Sequence, residues 1–171
     1  MLTPMAMVGG IIHIAGHALS KITLFFCAGS IYCASRRKKI SDLAGIGRKL
    51  PWTMAAFFIG SLGMIGVPPS GGFISKWYLV MGSVDAREMV FLAVLLVSSV
   101  LNAAYFLPIT YTAFFEKESA RPIGDGSEAI APDEIREIPL VAIPLVATAF
   151  LSLVMGVFPG YFLILAGGVV P

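Results

Sequence analysis

Three ionisable side chains recur at every fourth position in the first apolar stretch of the chain: His13, His17 and Lys21. This spacing places them on one face of an α-helix, with about 6 Å between successive residues along the axis. Histidine has an ordinary pKa of about 6.5, so it takes up and releases protons near neutral pH. A buried lysine can also exchange its proton in this range. The residue types and their spacing therefore predict a proton relay.

Two other interpretations of the three residues remain open. Histidines at i and i+4 can bind zinc, but the first apolar stretch contains neither Asp nor Glu as a third ligand. Polar side chains can also serve only to hydrogen-bond packed helices. A charged residue at the bilayer centre costs at least about 2.5–3.5 kcal/mol, so the residues should face protein or water. We expect neither a metal nor a cofactor here.

A fourth ionisable residue, Lys76, follows a run of helix-breaking residues. The predicted break consists of Pro68, Pro69, Gly71 and Gly72. The apolar segment before it, 52–67, is about 24 Å long as a helix and is too short for a hydrocarbon core of about 30 Å. We therefore expect one crossing made of two half-helices, whose free ends face an ion path. At the start of the second half-helix, the helix dipole would disfavour a positive charge on Lys76.

The alternative for this segment is a loop at the membrane surface followed by an interfacial helix. Lys76 would then extend its amine to the interface, next to the aromatic pair Trp77 and Tyr78.

The elements that must hold these residues are apolar helices. Of the 171 residues, 57% are hydrophobic and 13% charged, which is typical of a membrane protein and not of a soluble domain. Long apolar stretches without period-two alternation favour helices over a barrel. The sequence predicts an all-α transmembrane fold with about four spans, at residues 5–35, 52–84, 89–115 and 138–168. The net charge of +2 gives no support to nucleic-acid binding.

The basic residues indicate the orientation of these spans. Six of the twelve lie in the loop 36–51, and three lie in the loop 116–137 among seven acids. The connection between them has Arg87 alone, so both loops should be cytoplasmic. The chain would then begin outside with almost nothing before its first span. We therefore expect that other membrane subunits supply earlier helices.

Two motifs together resemble a known family. They are HIAGHALSK at residues 13–21 and GVPPSGGFISK at residues 66–76. They are similar to the antiporter-like subunits of respiratory complex I, membrane-bound hydrogenases and Mrp sodium/proton antiporters. The resemblance is strongest to the D-type subunit of the Mrp antiporters, with additional support from YTAFF at 111–115, IPL at 143–145 and GVFP at 156–159.

The resemblance implies a fourteen-helix fold with two inverted five-helix repeats, of which this chain would be helices eleven to fourteen. It implies that His13, His17 and Lys21 are relay residues of helix eleven. Lys76 would be the lysine of the broken helix twelve, at the end of the relay. The partner glutamate and lysine of the first repeat would lie on earlier helices.

The sequence therefore predicts the C-terminal part of a proton-conducting subunit, multi-pass in the cell (inner) membrane. Proton movement would be coupled to sodium/proton antiport, or to a respiratory NADH:quinone oxidoreductase-type or hydrogenase complex. We find no catalytic site belonging to this chain, so any redox reaction would belong to the assembly. The alternative is a structural or remnant membrane subunit without transport activity, whose polar residues only hold helices together.

Overall fold

The computed structural model describes residues 3–117 and 134–170, which are almost entirely helical. The α-helices are α1 (Pro4–Ser35), α2 (Pro51–Ile65), α3 (Gly71–Asp85), α4 (Met89–Phe115), α5 (Pro139–Val157) and α6 (Gly160–Gly167). Two short 3₁₀ helices, Ile40–Leu43 and Ile46–Arg48, lie between α1 and α2. Helices α2 and α5 begin with proline at their first position, where the missing N–H costs no hydrogen bond.

Three helices in the described part of the chain, α1, α4 and α5, are long and apolar enough to cross a membrane. Helix α2 is apolar but shorter, with 15 residues. Most large side chains of α4 are exposed, as expected for a helix that faces lipid or other helices. The predicted all-α transmembrane fold is confirmed.

Helices α2 and α3 lie end to end along α1. From the start of α1 to its end, the residues that it contacts on α3 and then on α2 have progressively lower numbers. These pairs are Ala6 with Gly82, Gly9 with Leu79, Gly16 with Gly71, Ser20 with Gly63, and Cys27 with Thr53. Together α2 and α3 therefore run antiparallel to α1 as one discontinuous crossing, and the break lies near the middle of α1.

The break itself spans residues 66–70. Gly66 ends α2 in the left-handed region, with φ of 85°, and its N–H donates to the Leu62 carbonyl. Gly71 and Gly72 are the first residues of α3, so the sequence-based limits of the break require correction. A Cβ on Gly72 would collide with the Gly63 carbonyl, so this glycine allows close packing and does not interrupt the helix.

The segment predicted as the last span, 138–168, forms two helices. Helix α5 ends at Val157, and α6 begins at Gly160 after Phe158 and Pro159. Proline disfavours a helical conformation for the residue before it, and Phe158 has φ of −118° and ψ of 62°. Pro108 and Pro144, in contrast, lie inside helices that continue through them.

The loops at one end of the bundle are only partly described. In the loop 36–51, Gly45 donates its N–H to the Thr112 carbonyl of α4. Most of the acidic loop 116–137 lies outside the described residues, since 118–133 fall outside them. The cytoplasmic placement of both loops stays a prediction.

Candidate functional site at the helix break

Lys76 bridges the break between the two half-helices. It lies in α3, and its side chain passes back over Gly66, where a Cβ would be 2.5 Å from the Lys76 Cδ. Its Nζ donates to the Met64 and Ile65 carbonyls, both at 2.9 Å, and to the Ser99 hydroxyl of α4 at 2.8 Å. An ammonium has three N–H donors, so these three acceptors satisfy all of them.

The acceptors are available because α2 ends here. The last carbonyls of a helix have no intrahelical partner, and the carbonyl end of a helix carries a partial negative charge. The sequence argument placed the Lys76 charge at the positive end of α3, and this requires correction. Helical side chains lean toward the N-terminus, so the Lys76 amine reaches the negative end of α2. Asn102 adds a second donor to the Met64 carbonyl, at 3.3 Å.

The two histidines of α1 lie beside the first turns of α3. His13 Nδ1 is 3.0 Å from the Ser75 hydroxyl, which donates to the Gly72 carbonyl at 3.0 Å. The hydroxyl has a single proton, so His13 Nδ1 is the donor when both hydrogen bonds form. The Nε2 atom then remains able to accept a proton. The His17 ring is 5.5 Å from the His13 ring, centre to centre, and both residues are partly buried.

Lys21 occupies a different environment. It is exposed in this chain and lines a groove of about 450 Å³ between α1, α2 and α4. Arg37 and Lys38 line the same groove, as does Met64, whose carbonyl accepts from Lys76. The structure thus brings His13 and His17 together beside α3, and it places Lys21 in a groove that extends to the end of α2.

A second polar cluster lies at the other end of α2. The Glu137 carboxylate accepts hydrogen bonds from the Thr53 N–H at 2.9 Å and from the Thr53 hydroxyl at 3.0 Å. The Thr53 hydroxyl is also 3.1 Å from the Ser30 hydroxyl of α1. The Glu137 carboxylate therefore gives the Thr53 N–H, which has no partner within the helix, a hydrogen-bond acceptor. Its negative charge is also favourable at the positive end of α2.

Sequence reasoning missed three residues of these clusters: Ser75, Ser99 and Glu137. The spacing of Ser99 and Asn102 offered one usable signal, because two polar residues at i and i+3 share a face of α4. Glu137 gave no such signal, because its partner Thr53 is 84 positions away.

Within residues 3–117 and 134–170, no group of three or more His, Cys, Asp or Glu side chains could hold a metal ion. The groups at the break that can exchange protons or form hydrogen bonds are two imidazoles, one amine and the hydroxyls of Ser75 and Ser99.

Comparison with known proteins gives consistent matches along the chain. A family model described as "NADH:quinone oxidoreductase/Mrp antiporter, TM" matches residues 1–102. The NADH-quinone oxidoreductase subunit N of Desulforudis audaxviator is 39% identical over 158 residues, which are 90% of this chain and 31% of that protein. The D-type subunit of the Na(+)/H(+) antiporter of Alkalihalophilus pseudofirmus is 27% identical over 154 residues, or 90% of this chain and 29% of that protein.

Among solved structures, the Mrp complex from Dietzia sp. contains a chain with the same fold. The TM-score is 0.83 at 24% sequence identity, and the match covers 97% of this chain and 37% of that one. The present chain therefore spans about a third of the length of the curated relatives that it matches.

Proposed function

The chain belongs to the NADH:quinone oxidoreductase/Mrp antiporter transmembrane family, and from this premise we propose that it conducts protons as the C-terminal part of an antiporter-like membrane subunit. The family resemblance of its two motifs is confirmed. One observation carries the proposal: Lys76 bridges a break at the middle of a membrane crossing, next to the histidines of α1.

The proton would move between these groups through ordered water. His17 and His13 pass it along α1, and the Ser75 hydroxyl connects His13 to the first turn of α3. Lys76 is the last group of this relay. Its amine must break its hydrogen bonds to the carbonyls of α2 before it can release a proton elsewhere. Lys21, exposed in its groove, would exchange protons with helices outside this chain.

The partners would be other membrane subunits in the cell (inner) membrane. The relatives are a subunit of NADH-quinone oxidoreductase and a subunit of a sodium/proton antiporter, so both couplings remain candidates for this chain. The subunits that join it would supply the rest of the proton path. A second candidate is a structural subunit, which is favoured by the fact that Lys76 also fastens α2 to α3 and α4.

Substitutions of the two lysines separate these candidates. In the assembled complex, Lys76→Ala and Lys21→Ala should each abolish proton uptake into membrane vesicles, measured with a pH-sensitive dye. The amount of the chain in the membrane, measured by immunoblot, should stay at the wild-type level. Lys39→Ala makes the same change at an exposed loop position and should leave both quantities unchanged.

Lys76→Arg makes the test sharper. Arginine keeps a positive charge that can hydrogen-bond to the carbonyls of α2, but it does not release its proton in proteins. If Lys76 is a relay residue, Lys76→Arg should therefore abolish proton uptake. If Lys76 only holds the helices together, Lys76→Arg should leave proton uptake unchanged. Normal proton uptake by Lys76→Arg, or reduced abundance as the main effect of Lys76→Ala, would refute the relay.

A further inference from the structure

The Lys76 amine is surrounded by oxygen atoms from uncharged groups. Its three acceptors are the Met64 and Ile65 carbonyls and the Ser99 hydroxyl. The Asn102 side chain lies in the same cluster, since its amide donates to the Met64 carbonyl. A side-chain amide also carries an oxygen, which a rotation of the group would turn toward the amine. Up to four oxygen ligands thus come from the end of α2 and one face of α4.

Such an arrangement suits a small monovalent cation. Hard cations bind oxygen ligands, and the carbonyl end of a discontinuous helix coordinates sodium in transporters. The partial negative charge at the end of α2 adds a favourable field. Helices α2 and α4 contain no Asp or Glu, so the site lacks the carboxylates that Ca²⁺ and Mg²⁺ usually require. We propose that these oxygens bind Na⁺ whenever the Lys76 side chain is neutral and withdrawn.

The ammonium and the cation would exclude each other, because both need the same carbonyls. Lys76 has space to withdraw, since its side chain lines a groove of about 370 Å³ between α3 and α4, together with Ser99 and Gly66. Protonation of Lys76 would expel the cation, and cation entry would favour the neutral amine. This exchange deepens the proposed function, because the coupling of Na⁺ to proton movement rests on the proposed relay. The binding of Na⁺ itself does not depend on the relay.

Few ionisable groups other than Lys76 lie near the proposed Na⁺ site. On α1 they are His13 and His17, which lie beside α3, and Lys21, which lines a groove together with Met64. Helices α2 and α5 contain no ionisable side chain, and α4 contains only Tyr105 and Tyr111. A change in Na⁺ binding with pH that disappears when Lys76 is replaced is therefore caused by Lys76 itself.

Binding of ²²Na⁺ to the full chain in lipid nanodiscs tests the proposal without any transport. At neutral pH, Lys76→Ala should lower the apparent Kd for ²²Na⁺ at least about tenfold, because the site is then free in every molecule. Lys39→Ala removes the same charge from an exposed loop position without vacating these oxygens, so it should behave as wild type. Adding Ser99→Ala to Lys76→Ala should weaken binding again, because one ligand is lost.

The wild-type chain provides an independent readout if Lys76→Ala does not fold. Raising the pH toward about 10, where an unperturbed lysine begins to lose its proton, should increase ²²Na⁺ binding in the wild type. An unchanged affinity in Lys76→Ala, an equal gain in Lys39→Ala, or pH-independent binding in the wild type would overturn the site. Normal proton uptake by Lys76→Arg together with the expected ²²Na⁺ binding would refute only the relay, so the two failures are distinguishable.

Discussion

Replacing Gly72 by alanine tests the packing that brings the two half-helices together. An alanine inside a helix normally stabilises it by about 0.5–1 kcal/mol relative to glycine. At Gly72, however, the added Cβ would collide with the Gly63 backbone, which has no side-chain rotamer to adjust. Overpacking of this kind costs about 1–3 kcal/mol. For a chain of 171 residues, this loss lowers the melting temperature by about 2–12 °C.

Gly10 supplies a matched control on α1. A Cβ there has no atom within 4 Å, so Gly10→Ala should raise the melting temperature by about 1–4 °C. Both variants can be melted in the same detergent and followed by circular dichroism of the helices. The reasoning fails if Gly72→Ala melts at or above Gly10→Ala, because α3 would then not be packed against Gly63.

Two further substitutions test the ends of α2. Glu137→Ala should cost about 1.5–3 kcal/mol in thermal melts, because the buried Thr53 amide loses a charged partner, while Glu134→Ala at an exposed position should change nothing. A loss below about 0.5 kcal/mol would contradict this cap. Gly66→Ala should cost about 1–2 kcal/mol for its left-handed backbone and displace the Lys76 side chain, so proton uptake by the complex should fall as well. Normal uptake in Gly66→Ala would contradict the position of Lys76.

Most of the fold could be predicted from the sequence, because the length of an apolar stretch and the position of a proline determine the local structure without long-range contacts. The run from Pro68 to Gly72 overlaps the segment that separates α2 from α3. Its limits were displaced because Gly71 and Gly72 serve close packing against residues of other helices, Met155 for Gly71 and Gly63 for Gly72. The interruption at Pro159 was missed because apolar residues continue on both sides of it.

The candidate site was accessible only in part. The spacing of His13 and His17 correctly indicated a shared face, since i and i+4 positions are neighbours on any helix. The partners of Lys76 were not accessible, because Ser99 reaches the amine only through the packing of α3 against α4. Nothing in the local sequence fixes that packing.

The close contact between α1 and α3 restricts the ways in which Lys76 can move. A Cβ on Gly82 would be 2.6 Å from the Ala6 backbone, and one on Gly9 would be 2.8 Å from the Leu79 backbone. With almost no side-chain layer between them, the two helices cannot rotate about their axes without steric overlap. The amine of Lys76 can still move without any rotation of α3 against α1, because the stem of a lysine side chain is flexible.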